Sequence, residues 1–221
     1  MSCGGHCCAI EENFDRRVAE AELDRYRRNG ASPSTRRLLK AIGEASAAGA
    51  TVLDVGGGIG TIAIELIDAG ASRATVVDAS EAFLAGARDE ARRRHAEDRL
   101  ELVHGDFVAL APEVPAADVV TLDKVVCCYP DMEALLGRSA RHARKLYGLV
   151  YPRDSWWVKL GVAVQNTLRR IRRKAFRVFV HPNAAIEHAI RRGGHSLLRR
   201  ERGFVWVVEL YARKDAAVSP P

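Results

Sequence analysis

Residues 51–60, Thr-Val-Leu-Asp-Val-Gly-Gly-Gly-Ile-Gly, constrain this chain more than any other stretch. An apolar β-branched run carries an acid, Asp54, and opens at once into a loop with glycines at Gly56, Gly57, Gly58 and Gly60. A helix-like segment, Thr61–Ala69, follows directly. Strand, glycine turn and helix in this order let a ligand approach the backbone closely at a helix N-terminus, where unpaired N–H groups need a partner. The dinucleotide fingerprint asks for glycines at the first, third and sixth positions. Counted from Gly56, the sixth position here is Thr61, so the pattern is Asp-x-Gly-x-Gly-x-Gly instead.

Around this unit the chain alternates between strand and helix patterns. Thr51–Val55, Ala74–Asp78, Leu100–Val103, Asp118–Leu122 and Leu146–Tyr151 read as strands, separated by helices over Thr61–Ala69, Glu81–Ala96 and Met132–Ala143. Such alternation predicts an α/β fold with a mostly parallel sheet, helices on both faces and right-handed crossovers. Two helices precede it, Asn13–Arg28 and Thr35–Ala48, with Asn29-Gly30 ending the first and Ser32-Pro33-Ser34 starting the second. The last third departs from this rhythm. A long helix runs from Trp156 to about Arg172, another spans Pro182–Arg192, and two strands near Ser196–Arg200 and Val205–Ala212 close the chain as a hairpin. The expected boundaries are an N-terminal tail and cap over 1–48, a main domain over 49–213 with an insertion at 153–193, and a disordered tail over 214–221.

Two further acids fall at strand tips. Asp78 ends the second strand about twenty residues past the glycine loop, a distance suited to a carboxylate that accepts both hydroxyls of a ribose. A capping role at the following helix fits Ser80 better. The third strand ends in His104-Gly105-Asp106-Phe107. Together, the glycine loop, Asp78 and Asp106 resemble the motifs of the class I S-adenosylmethionine (SAM) methyltransferases, with Asp54–Gly60 as motif I. The resemblance implies a Rossmann-like sheet of seven strands with a reversed C-terminal strand, a helical cap and a helical insertion after strand five. It also implies that Asp106 receives the adenine amino group while Phe107 packs on the ring. Asp54 would face the cofactor's amino group, and Gly56, Gly58 and Gly60 would let its methionine portion lie on the backbone. Gly57, Ala79 and Asp123 complete the expected cofactor set.

The acceptor side is read from Leu122-Asp123-Lys124-Val125-Val126-Cys127-Cys128-Tyr129-Pro130. The Asn/Asp-Pro-Pro-aromatic motif of adenine-N6 methylases is absent, and so is the Pro-Cys or Thr-Cys context of RNA cytosine-C5 methylases, which argues against nucleic acid as acceptor. From about Phe14 to Arg213 the chain is similar to the magnesium-protoporphyrin O-methyltransferase group. The carriers are Asp24-Arg25-Tyr26, the aromatic-Pro at Tyr129-Pro130, a long insertion after strand five, and Gly203-Phe204 in the final hairpin. That group has a His before the Tyr-Pro, whereas Cys128 stands here. Tyr129, Tyr26, His181 and Cys128 are the candidates for acid–base work or acceptor contact. Ring packing, filling of a helix face and helix capping are the alternatives for the first three.

Methyl transfer from a sulfonium needs no metal, and none is expected. The five cysteines nevertheless form two clusters, Cys3, Cys7 and Cys8, then Cys127 and Cys128. Thiolates bind soft ions, so thiol-assisted methylation of a metal or metalloid, or a non-catalytic SAM-binding sensor of metal or redox state, are the alternatives to methylation of a small-molecule O, N or S atom. An odd count without a signal-peptide pattern argues against a disulfide framework. No apolar run reaches the roughly 18–20 residues of a membrane span, so a cytoplasmic protein is expected, monomeric or homodimeric. The net charge of +6 gathers in Arg169–Lys174 and Arg191–Arg202. The helix from Trp156, apolar first and basic last, fits packing on the domain, a lid over a hydrophobic acceptor, or contact with a membrane surface.

Overall fold

The computed structural model describes residues 5–45 and 48–214, with side chains from Ala9 onward. Cys3 and the tail from residue 215 lie outside the described residues, as do the side chains of Cys7 and Cys8, so the idea of an N-terminal thiol cluster falls outside them too.

Seven strands form one sheet: β1 (Thr51–Val55), β2 (Arg73–Asp78), β3 (Leu100–His104), β4 (Ala117–Asp123), β5 (Ala143–Pro152), β6 (His195–Arg202) and β7 (Trp206–Arg213). Their spatial order is β3-β2-β1-β4-β5-β7-β6. The first five are parallel to one another, and β7 runs antiparallel between β5 and β6. The expected single reversed strand is therefore β7. Order reverses between β1 and β4, and such a switch point opens a crevice at the carboxyl ends of the strands.

Side-chain alternation along β1 feeds two cores. Val52 and Val76 face a layer built from α3 (Pro33–Glu44) and α4 (Thr61–Asp68), where Leu38, Ile42 and Ile64 are buried. Leu53 and Val55 face the opposite layer, with Leu135 and Leu136 of α7 (Met132–His142) and Ile186 and Ile190 of α9 (Asn183–Arg192). Burial on both faces explains why β1 reads as a continuous apolar run. The one acid within it, Asp54, is buried.

The caps follow local chemistry. Ser80 accepts from the Phe83 N–H at 3.3 Å and starts α5 (Glu81–Arg93), so Asp78 does not serve as that cap. Asp131 accepts from the Ala134 N–H at 2.9 Å and starts α7.

Some boundaries differ from the sequence reading. The segment read as tail and first helix is two helices, α1 (Gly5–Asn13) and α2 (Arg16–Asn29). Asp15 breaks them, because its carboxylate accepts from the Val18 N–H at 3.1 Å as an N-cap. The third strand leads into a four-residue helix, α6 (Phe107–Leu110), too short to carry a periodic signal. β5 begins directly where α7 ends and runs ten residues. The helix α8 (Trp156–Ile171) forms the insertion after β5, and Val158 is its one buried residue.

Candidate functional site

One cavity of about 310 Å³ opens at the switch point. Its floor is the glycine loop, and its roof comes from Ile10, Phe14, Val18 and Glu22 on α1, α2 and the link between them. Of the sequence-derived cofactor set, Asp54, Gly56, Gly57, Gly58, Asp78, Ala79, Asp106, Phe107 and Asp123 all line it. Gly60 stands just behind, at the start of α4.

The loop takes a shape that only glycine adopts freely. Gly56, Gly58 and Gly60 have φ of 64°, 57° and 73°. A Cβ at Gly57 would lie 2.5 Å from Asp54 Oδ2, and one at Gly56 would lie 2.5 Å from Val125. The bare backbone is thus packed from behind and open in front.

Three carboxylates are spaced along this cradle. Asp78 accepts from the Gly58 N–H and the Ser80 N–H, both at 2.8 Å. These bonds fix its plane and leave lone pairs for a diol. Burial raises its pKa, opposed by those same backbone bonds. Asp106 caps α6 by accepting from the Val108 N–H at 2.9 Å, and its second oxygen accepts from the Tyr129 hydroxyl at 3.0 Å. Asp54 accepts from the Thr121 hydroxyl at 2.7 Å. Burial pushes its pKa up to about 7, although that bond pulls the other way.

At the end of β4, Asp123 Oδ2 accepts from the Thr35 hydroxyl at 2.5 Å, tying α3 to the site. Its buried Oδ1 accepts no hydrogen bond among the described residues, with Lys124 Nζ at 3.4 Å as its ionic neighbour. Lys124 donates to Ser32 Oγ at 2.9 Å and holds a left-handed backbone, φ 63°. Such a conformation costs a non-glycine residue on the order of 1–3 kcal/mol and gathers at ligand-binding turns.

The acceptor-side candidates part company. Cys128 and Tyr129 line the cavity. Cys128 Sγ lies 4.0 Å from Cys127 Sγ, and both thiols reach the Lys124 carbonyl, at 3.5 and 3.2 Å. The contact with Cys128 holds the Cys127 thiol below its ordinary range, while that contact and burial push Cys128 up. Among the described residues no third His, Cys, Asp or Glu joins the pair as a metal-binding group.

Tyr26 and His181, both candidates on sequence, do not line the cavity. The buried Tyr26 hydroxyl donates to Glu65 of α4 at 2.5 Å, which makes it a tie between α2 and the domain. His181 Nε2 bonds the Tyr129 carbonyl at 3.0 Å, and its ring stacks on Phe179. It acts on the backbone that carries Tyr129, not on the cavity itself.

Sequence reasoning missed Phe14, Glu22, Phe83 and Lys124, which also line the cavity. The first two belong to a roof joined to the loop by long-range packing, such as Phe14 on Phe83 at 5.6 Å between ring centroids. Lys124 was readable as a neighbour of Asp123, but its unusual backbone was not.

Residues 52–145 match the methyltransferase domain family. A ribosomal protein L11 methyltransferase from Edwardsiella ictaluri is 33% identical over 117 residues, 50% of this chain and 40% of that protein. The Escherichia coli counterpart is 35% identical over 91 residues, 41% of this chain and 30% of that protein. The chain thus spans less than half the length of the curated relatives it matches. Among solved structures, magnesium protoporphyrin IX methyltransferase from Synechocystis, with S-adenosylhomocysteine bound, has a TM-score of 0.71 at 19% identity, covering 95% of this chain and 100% of that one. An O-methyltransferase family protein from Burkholderia thailandensis has a TM-score of 0.67 at 17% identity, covering 93% and 62%.

Proposed function

We propose that this chain, which carries a class I SAM-dependent methyltransferase domain, binds SAM in the cavity above the glycine loop and methylates an O, N or S atom of a small molecule. The observation that carries the reading is the convergence on one cavity of the glycine cradle, Asp78, Asp106 and Asp123, whose buried Oδ1 accepts no hydrogen bond among the described residues. The donor set fits SAM group by group. Asp78 is free to accept the ribose hydroxyls, Asp106 and Phe107 stand at the adenine end, and Asp54 and Asp123 offer negative charge to the methionine ammonium.

When bound, SAM supplies an already activated methyl electrophile. The chain's own task is alignment and exclusion of water, and the effect of such positioning is large. The glycine loop fixes the floor, and the α1–α2 roof narrows the approach to one side. Cys128, Lys124 and Tyr129 form one wall of the same cavity, with Lys124 beside Asp123 and the Tyr129 hydroxyl on Asp106. Lys124 Nζ, held by Ser32, the N-cap of α3, and by Thr35 in its first turn, brings positive charge to that wall and favours an anionic acceptor.

A small acceptor is supported by the roof of Ile10, Phe14 and Val18, which makes the cavity partly apolar and covered. The relatives named for ribosomal protein L11 align over half of this chain or less, so a protein acceptor is the competing reading. The Cys127–Cys128 pair, 4.0 Å apart, is the observation behind the alternative reading, in which a soft metal or metalloid held on thiols is the acceptor.

Isothermal titration with SAM and S-adenosylhomocysteine tests the premise, and absence of binding by both rejects it. Turnover against porphyrins, phenols, thiols, arsenite and L11 protein, read as S-adenosylhomocysteine formed, identifies the acceptor class. Turnover of L11 alone would replace the small-molecule reading.

A further inference from the structure

The outer face of α8 is not covered by the fold. Trp156, Leu160, Val164, Leu168 and Ile171 are 72%, 57%, 52%, 50% and 71% exposed. Their spacing of four, four, four and three residues sets them in one stripe along the helix. Among the described residues, nine large hydrophobic side chains are exposed, and these are five of them. The β6–β7 turn extends the patch, because Phe204, 77% exposed, stacks on Trp157 at 5.8 Å between centroids.

The inner face of the same helix is firmly held. Asn166 donates to the Val178 carbonyl at 2.7 Å and accepts from the Val178 N–H at 3.0 Å. Arg169 bonds Asn13 and lies over the Phe176 ring, which packs on Phe14 at 5.3 Å. The stripe therefore faces outward because the opposite face is already engaged.

Charge decides what can cover it. From Ser155 to Ile186 there is no Asp or Glu, while Lys159, Arg169, Arg170, Arg172, Arg173, Lys174 and Arg177 are all present. Lys159, Arg170, Arg172, Arg173 and Lys174 are exposed beside or beyond the stripe. The acids that flank this stretch in the sequence are already occupied. Asp154 accepts from the Asn183 N–H at 3.2 Å, and Glu187 pairs with Arg200 at 2.6 Å. A second copy laid on this face by two-fold symmetry would set an acid-free cationic segment against itself. An anionic lipid surface supplies both missing partners, a hydrocarbon boundary for the stripe and phosphates for the cations.

We propose that α8, with Phe204 at the hairpin turn, docks the protein in the plane of an anionic membrane surface. Sixteen residues of helix are about 24 Å long, and no helix among the described residues is long and apolar enough to cross a bilayer. The helix lies on the surface and does not span it. Tryptophan at one end and arginines at the other suit the interfacial zone, where aromatic rings sit at headgroup depth and long cationic side chains reach phosphate. Because Phe176 beneath α8 packs on Phe14 of the cavity roof, the docked face lies two side chains from the cavity. The inference stands independently of the methyl-transfer reading.

Vesicle co-sedimentation of the full chain tests it, with phosphatidylcholine alone and with phosphatidylcholine mixed with phosphatidylglycerol. Binding to the mixed vesicles at least tenfold tighter than to the neutral ones, weakened by added salt, is expected. The triple variant Trp156→Ser, Leu160→Ser, Leu168→Ser should lose at least tenfold of that binding at an unchanged melting temperature. Arg170→Gln with Arg172→Gln and Arg173→Gln should abolish the preference for the anionic vesicles and keep any residual neutral binding. Should the triple variant fail to fold, Leu160→Ser alone and the arginine variant carry the test. Absence of binding to either vesicle overturns the proposal. So does equal binding to both, or a concentration-dependent dimer in sedimentation velocity that the stripe variant dissolves.

Discussion

The β1–β4 half of the sheet and the insertion after β5 use hydrophobic residues in opposite ways. Around the glycine loop, apolar side chains are buried on both faces, and nearly every carboxylate is held by a backbone N–H or a hydroxyl. On α8 a stripe of five apolar side chains points away from the domain, and the helix is held by Val158, polar clasps and Phe176. The first region is built to hold a polar ligand at fixed geometry. The second is held in place by its neighbours while its best packing surface stays available. Burial in one and exposure in the other follow from the same amphipathic pattern, turned through half a revolution.

The contrast predicts unequal responses to similar changes. Ile64→Ala on α4, where the side chain is fully buried, should cost about 2–5 kcal/mol of stability in a urea titration. A wild-type midpoint would mean that this core is far looser than its burial indicates. Gly57→Val acts on the cofactor instead. Its side chain meets Asp54 at the Cβ itself, so SAM affinity should fall at least 100-fold, about 3 kcal/mol. Retained affinity in a titration would show that the loop is not the cradle.

Asp78→Asn keeps the size of the side chain but removes charge and one acceptor site. SAM binding should weaken about 30-fold, close to 2 kcal/mol, the loss associated with hydrogen bonds to a charged group. A change below about threefold would move the ribose elsewhere, since this effect is well above the scatter of surface substitutions.

The legible part of the site was the part that local sequence builds. Asp54, the glycines, Asp78 and Asp106 lie at strand ends, where one strand and its following turn decide both residue type and direction. Ser80 as the cap of α5 was legible for the same reason. The roof was not, because Phe14 reaches the loop through long-range contacts, its ring on Phe83 and its carbonyl accepting from the Ser80 hydroxyl, and Asp15 divides what periodicity joins into one helix. Tyr26 and His181 have suitable chemistry for a site, yet their hydroxyl and ring are spent on Glu65 and the Tyr129 carbonyl. The amphipathic character of α8 was plain in its spacing. Its direction was not, since a period of 3.6 residues reads the same whether the stripe meets a core or a solvent.

A smaller effect tests the electrostatics of the cradle. Burial raises Asp54 to about 7, so the folded, unliganded protein keeps that proton near neutrality. As a raised carboxyl, it contributes stability that is fully present below its unfolded value of about 3.9 and lost as pH rises through about 7. A bound ammonium favours the ionised form, so binding releases a proton, and SAM affinity should rise by up to about eightfold between about pH 6 and pH 7.5. Asp54→Asn should flatten that rise. A variant with the wild-type slope would assign the proton to another group.

The smallest expected effect falls on α8. Leu160→Ser or Leu168→Ser alone should change stability by no more than about 0.5 kcal/mol, because each side chain is already at least half exposed in the folded chain. Isoleucine on α4 and leucine on α8 have similar transfer free energies, so the difference between their losses isolates what the fold itself buries. If Leu160→Ser destabilised the protein as much as Ile64→Ala does, the stripe would be packed in solution against something that belongs to the chain. The contrast between the two regions would then collapse, and with it the free face that a membrane surface needs.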